Sequence, residues 1–224
     1  MPRPLRIDVK GYMYHVINRA NARIPIFDKK SAYQLFEGVL LEARERHDMR
    51  ILAYCIMPNH WHLLLYPKSD GDLSKFMCWL TMTHTQRWHA QHKTIGSGHL
   101  YQGRYKSCIV EKESYFYTLM RYIEQNALRA KLVRRSENWK WGSLYHRVKG
   151  TSFGEKLLSP WPGEMPWDYL DYVNELMREE DLEPMRACVN RGRPYGSTNW
   201  QDEMIKKYKL ESTVRYRGRP KKGS

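Results

Sequence analysis

Ala53-Tyr54-Cys55-Ile56-Met57-Pro58-Asn59-His60-Trp61-His62-Leu63-Leu64 is the stretch on which the reading of this chain turns. Residues 50–57 form a mostly apolar run with the length of a buried strand. Pro58-Asn59 is a turn signal, and residues 60–66, closed by Pro67, read as a second strand. Side chains alternate across a strand. His60 and His62 therefore share one face, while Trp61, Leu63 and Leu65 point the other way, toward a core. Two imidazoles one strand repeat apart can both reach a single metal ion, and a strand is a rigid mount for one. A His-x-His pair taken alone is too short to be specific, and more often marks two hydrogen-bonded histidines on a half-exposed strand.

Outward from this hairpin the pattern continues. Residues 12–18 are aromatic and β-branched, a strand composition. Ser31 followed by Gln34 is a capping-box signature, and Tyr33, Phe36, Leu40 and Ala43 then recur at helical spacing. Residues 72–92 read as helix, Gly96 to Gly98 as a loop, and residues 104–110 as a further strand. Residues 114–128 form a helix with Phe116, Met120, Ile123 and Ala127 on one stripe. This order implies an α+β fold, a ferredoxin-like antiparallel sheet with helices on one face. Composition changes near residue 150. Residues 1–150 read as one domain and 151–224 as a linker with a basic extension. A short helix at 168–181 and another from Trp200 to Lys209 are expected there. Two Arg-Gly-Arg-Pro copies, at 191–194 and 217–220, flank the second.

The chain has 224 residues, enough for one well-packed domain and an appendage, and 42% are hydrophobic, which argues against wholesale disorder. No apolar run has transmembrane length, and residues 1–10 lack a signal-peptide apolar region, so a cytoplasmic protein with no membrane partner is expected. Cys55, Cys78, Cys108 and Cys188 form no CxxC pair and are expected to be reduced thiols. Lys and Arg number 38 against 24 Asp and Glu, a net charge of +14. Such a field favours polyanions, of which nucleic acid is the commonest.

Residues 53–64 resemble the HUH signature of single-tyrosine transposases, where an apolar residue separates two metal-binding histidines. Tyr14-His15-Val16-Ile17-Asn18-Arg19 looks like that family's first strand. Gln102-Gly103-Arg104-Tyr105-Lys106-Ser107 looks like the strand before its catalytic helix. Residues 122–130, Tyr-Ile-Glu-Gln-Asn-Ala-Leu-Arg-Ala, look like the helix itself. The resemblance spans residues 12–147 and is closest in kind to the REP-associated tyrosine transposases. Trp61 is bulkier than the family's usual aliphatic residue, and Asn126-Ala127 stands where relatives often have Asn-Pro; neither change removes a functional group. The resemblance implies metal-dependent cleavage and rejoining of single-stranded DNA, near hairpin or palindromic repeats, through a 5′-phosphotyrosine.

A tyrosine can cut a phosphodiester and keep the bond energy in a covalent phosphotyrosine, but a phenol attacks weakly near neutral pH without help. Tyr122 lies just off the apolar stripe of its helix, with Asn126 one turn away on the same face. The resemblance implies the roles: Tyr122 as nucleophile, and Asn126 as third metal ligand beside His60 and His62. Tyr115 and Tyr117 are alternatives on the same helix. Imidazole and oxygen ligands without thiolate suit Mg²⁺ or Mn²⁺, with zinc also compatible by ligand type. His84, His89 and His92 lack metal-site spacing and read as solvated or groove-facing.

Arg19, Arg104 and Lys106 are candidates for phosphate contacts. Arg191, Arg193, Arg217 and Arg219, in the repeated Arg-Gly-Arg-Pro elements, resemble groove-inserting arginines, with nonspecific phosphate binding as the alternative. Two other functions compete with the enzyme: a non-catalytic nucleic-acid-binding regulator on the same fold, and a rolling-circle initiator or relaxase. The latter more often carries two tyrosines or a third histidine cluster. Monomer and homodimer stay open, as does whether Tyr122 serves its own histidine pair or a partner's.

Overall fold

In the computed structural model, which describes residues 6–112 and 114–214, four strands make one antiparallel sheet. In chain order come β1 (Met13–Arg19), α1 (Lys30–His47), β2 (Arg50–Met57), β3 (His60–Tyr66), α2 (Asp72–His92) and β4 (Lys106–Val110). The strand order β2-β3-β1-β4 is the ferredoxin-like arrangement expected from the sequence. After it come α3 (Ser114–Glu124), α4 (Asn126–Arg129), α5 (Ser143–Lys149), α6 (Ser152–Leu157), α7 (Tyr169–Asn174), α8 (Glu179–Arg191) and α9 (Thr198–Tyr208).

Strand alternation divides the interior into two cores. Tyr14, Val16, Tyr54, Ile56, Trp61, Leu63, Leu65 and Ile109 face α1 and α2. Met13, Cys55, Met57, Leu64, Cys108 and Val110 face the other way, against residues of α3, α7 and α8. A register shift between Ile51 and Ala53 in β2 explains why Leu52 and Ala53 both join the second core. The two helices of the ferredoxin-like unit lie on one face, as expected. The opposite face is covered too, by elements that follow the unit. The apolar strand β2, buried nearly throughout, requires that second cover.

Other sequence expectations shift. The N-cap of α1 is Lys29, with no side-chain cap bond, so Ser31 lies inside the first turn and makes no capping box. The helix expected over 114–128 breaks at Gln125. There the Asn126 amide donates to the carbonyls of Tyr122 and Ile123, competing for backbone acceptors, while the Gln125 amide reaches out to the carbonyls of Val173 and Glu175. The stretch 151–167 holds α6, capped by Thr151, whose hydroxyl accepts from the Gly154 N–H. Cys108 of β4 and Cys188 of α8, 80 residues apart, are joined as a disulfide, while Cys55 and Cys78 are free. Folding brings that pair together, and spacing gave no sign of it. No helix among the described residues is long and apolar enough to cross a membrane.

His84 is not solvated but wholly buried. Its Nδ1 lies 2.7 Å from the Tyr101 hydroxyl, to which the Trp61 indole N–H also donates. Burial pushes the His84 imidazole from 6.5 down to about 3. Between those values the unfolded chain holds a proton that the folded chain refuses, so stability falls as pH falls through the window. This one group contributes about 1.4 kcal/mol per pH unit there. Urea unfolding at pH 7 and pH 4.5 checks it: His84→Leu should show a shallower loss of stability on acidification than the wild type.

Candidate active site

β1 and β3 pair so that Arg19 stands opposite His60 and Ile17 opposite His62, all on the face turned away from α1 and α2. Over this end of the sheet lie α3, α4 and α8. Together they enclose a cavity of about 600 Å³ whose lining includes His60, His62, Tyr122, Asn126, Arg129 and Arg186. The four residues singled out from sequence for metal and nucleophile thus meet in one chain. Tyr122 is 6% exposed, and its ring stands edge-on to His62, with centroids 5.8 Å apart. Tyr117 is tied by its hydroxyl to the Glu164 carbonyl, and Tyr115 packs edge-on against Tyr195; neither lines the cavity.

The donor atoms are aimed by hydrogen bonds. The Asn59 amide N–H donates to the Arg23 carbonyl, leaving its Oδ1 as an acceptor 2.6 Å from His60 Nδ1. His60 must then carry its proton on Nδ1, which leaves the Nε2 lone pair for a cation. Asn126 spends its amide N–H groups on helix carbonyls at 2.9 and 3.1 Å, freeing Oδ1. His62 is engaged at Nδ1, 2.9 Å from His15 Nε2, with Nε2 as its second nitrogen. Burial, with help from Arg19, pushes His60 down to about 4. His62 is held well below its ordinary value by burial and then by neighbouring His60 and His15. The lowered values favour neutral rings, the charge state in which an imidazole can ligate a cation. Two imidazole nitrogens and an amide oxygen, with further positions open, fit a divalent cation. His15, Cys108 and Cys188 also bring three donor atoms within 4.8 Å of one another, but the disulfide leaves no thiolate there.

The Tyr122 hydroxyl is raised above the ordinary phenol value by burial, and Arg129 works against that rise, followed by Arg186 and Arg19. The Arg129 guanidinium carbon lies 5.2 Å from the ring centroid. Arg19 lines this cavity and also an adjoining one of about 230 Å³, where Arg104 and Lys106 join it. The first Arg-Gly-Arg-Pro copy is folded into the domain. Arg191 ends α8, Gly192 caps it at φ +74°, and the Arg193 side chain donates to Gln201. Arg217 and Arg219 lie outside the described residues.

Residues 8–126, more than half of the chain, match the family profile described as IS200-like transposase. The chain belongs to the IS200-like transposase family. It is a DNA-processing enzyme of a family that carries out transposition. A solved REP-associated tyrosine transposase bound to a REP hairpin has the same fold, with a TM-score of 0.57 at 18% identity, covering 73% of this chain and 93% of that one. A transposase structure from Deinococcus radiodurans R1 matches with a TM-score of 0.38 at 18% identity, over 59% of this chain and 91% of its own. No curated protein sequence matches the chain.

Sequence reading missed Asn59, Arg129 and Arg186. Asn59 was seen only as a turn residue. Arg129 sits two turns beyond Tyr122, a spacing that held a clue. Arg186 comes from α8, far along the chain, and nothing local marks it. If the geometry holds a cation as described, Mn²⁺ titration followed by electron paramagnetic resonance should register His60→Ala as a loss of more than about 100-fold in affinity. Asn59→Leu, which removes only the aiming group, should cost about 10- to 100-fold.

Proposed function

We propose that this transposase cleaves and rejoins single-stranded DNA, near hairpin or palindromic repeats, through a 5′-phosphotyrosine on Tyr122. The observation that carries this reading is the gathering of Tyr122, His60, His62 and Asn126 around one basic cavity within a single chain. His60 Nε2, His62 Nε2 and Asn126 Oδ1 are the atoms that would hold a Mg²⁺ or Mn²⁺ ion, which would supply Lewis-acid neutralisation of charge on the scissile phosphate.

The chain's own groups do the rest. Arg19, Arg104 and Lys106 line adjoining cavities and hold successive phosphates of one strand, setting its register without reading sequence. Arg129 and Arg186 face the Tyr122 hydroxyl and favour its ionised form against the burial that opposes it. The Tyr122 oxygen attacks the phosphorus, the bond from phosphorus to the 3′ oxygen breaks, and that oxygen leaves as a 3′ hydroxyl carrying the proton. Attack by a 3′ hydroxyl on the phosphotyrosine reverses the step and joins strands. The cavity is walled by α3 and α8, so a phosphate reaches it on a flexible strand. The hairpin preference rests on the solved relative, whose bound DNA is a REP hairpin. Arg191 and Arg193 of the folded segment add positive charge for contacts with the DNA backbone, and Arg217 and Arg219, outside the described residues, carry the same charge in the sequence.

Tyr122→Phe keeps the ring and its packing and removes the hydroxyl alone. Incubated with Mg²⁺ or Mn²⁺ and a labelled single-stranded hairpin oligonucleotide, the wild type should form a covalent adduct bearing the 5′ phosphate, and Tyr122→Phe should form none. Tyr115→Phe and Tyr117→Phe should retain it. Intact duplex and EDTA should each suppress the reaction. Wild-type protein that binds the hairpin with metal present, yet never forms an adduct, would mark a DNA-binding regulator on this fold instead.

A further inference from the structure

β1 contributes a third histidine to the site face. His15 lies diagonally across from His62, because Ile17 pairs with His62 and His15 with Leu64. His15 and His62 are 1% and 2% exposed. Their ring planes lie within 16° of each other with centroids 5.2 Å apart, and His15 Nε2 is 2.9 Å from His62 Nδ1. His15 also stands edge-on to Tyr122 at 5.8 Å, so it touches both the ligand ring and the tyrosine ring. Its other nitrogen, Nδ1, is buried without a hydrogen-bond partner.

One proton lies between the two rings, and two arrangements are open to it. If His15 Nε2 donates, His62 carries its own proton on Nε2 and has no lone pair for a cation. If His62 Nδ1 donates, His62 Nε2 is a lone pair and His15 carries its own proton on Nδ1. In both arrangements His15 Nδ1 goes without a conventional partner, so its burial does not choose between them. Only the second makes a ligand of His62.

We propose that His15 is the positioning residue of the site: it accepts the His62 Nδ1 proton, locking His62 in the ligating tautomer and its ring at the angle that also carries Tyr122. Metal-ligating histidines are commonly held this way by a carboxylate or carbonyl. Here a neutral imidazole in a wholly buried setting does it. The proposal rests on the reading of His60 and His62 as metal ligands.

The experiment has two arms. In the first, the ring nitrogens of ¹⁵N-histidine-labelled protein without metal are assigned by long-range ¹H–¹⁵N correlation spectra. His62 and His15 should both carry the proton on Nδ1; a His62 protonated on Nε2 overturns the proposal. The second arm measures Mn²⁺ affinity by electron paramagnetic resonance. His15→Phe, which keeps a ring against Tyr122, should weaken binding about 10- to 100-fold. His15→Gln, whose side-chain oxygen reaches the position of Nε2, should recover most of it. Equal affinity in wild type, His15→Phe and His15→Gln overturns the proposal while leaving the ligand reading intact, provided His60→Ala still abolishes binding. Wild-type protein indifferent to His60→Ala overturns both. Should His15→Phe fail to fold, the tautomer arm and His15→Gln decide.

Discussion

The placement of Trp61 is the constraint on which the rest of the structure depends. Its indole is wholly buried against Phe36 and tied to the Tyr101 hydroxyl. An aromatic side chain of this size removes enough apolar surface from water to stabilise the fold by roughly 4–6 kcal/mol. Moving β3 by one residue would forfeit that and drive His62 into the same dry core. Strand alternation thus converts the burial of one tryptophan into the shared orientation of two histidines. The bulk that sets Trp61 apart from an aliphatic at that position strengthens the lock.

Having placed the rings, the fold aims their lone pairs. Asn59 acts on His60 through a turn bond to Arg23, and Asn126 is aimed by the carbonyls that the helix break releases. Each donor is neutral; His60 and His62 lie against the side chains of Asn59 and His15, and Asn126 against helix carbonyls. The cations around them, Arg19, Arg129 and Arg186, face Tyr122 from three different elements. A site built of neutral donors inside a basic rim suits a phosphate brought from outside, since the negative charge arrives with the strand.

The βαββαβ order, the ends of β2, β3 and α2, and the facing of His60 and His62 were legible because they follow from local periodicity. The break in the helix at Gln125 was not, since it arises when Gln125 meets carbonyls near residue 174. The capping reading of Ser31 failed because a three-residue spacing does not say where a helix begins. His84 was read as solvated or groove-facing because it lacks metal-site spacing, yet α2 turns it into the core beside Tyr101. The Arg-Gly-Arg-Pro copy at 191–194 was read as a groove-inserting element of a basic extension. Its glycine instead supplies the left-handed cap that ends α8.

By itself the sequence determined which residues share a strand face, which helix carries Tyr122 and Asn126 one turn apart, and that the chain is strongly basic. Periods of two and 3.6 residues are properties of the backbone and need no partner to be read. Only the tertiary structure decided that Tyr122 stands beside its own chain's histidines, that α8 brings Arg186 to them, that Cys108 meets Cys188, and that His15 backs His62. These are contacts between segments tens of residues apart, set by how two cores are filled on opposite faces of one sheet, and no local pattern encodes them.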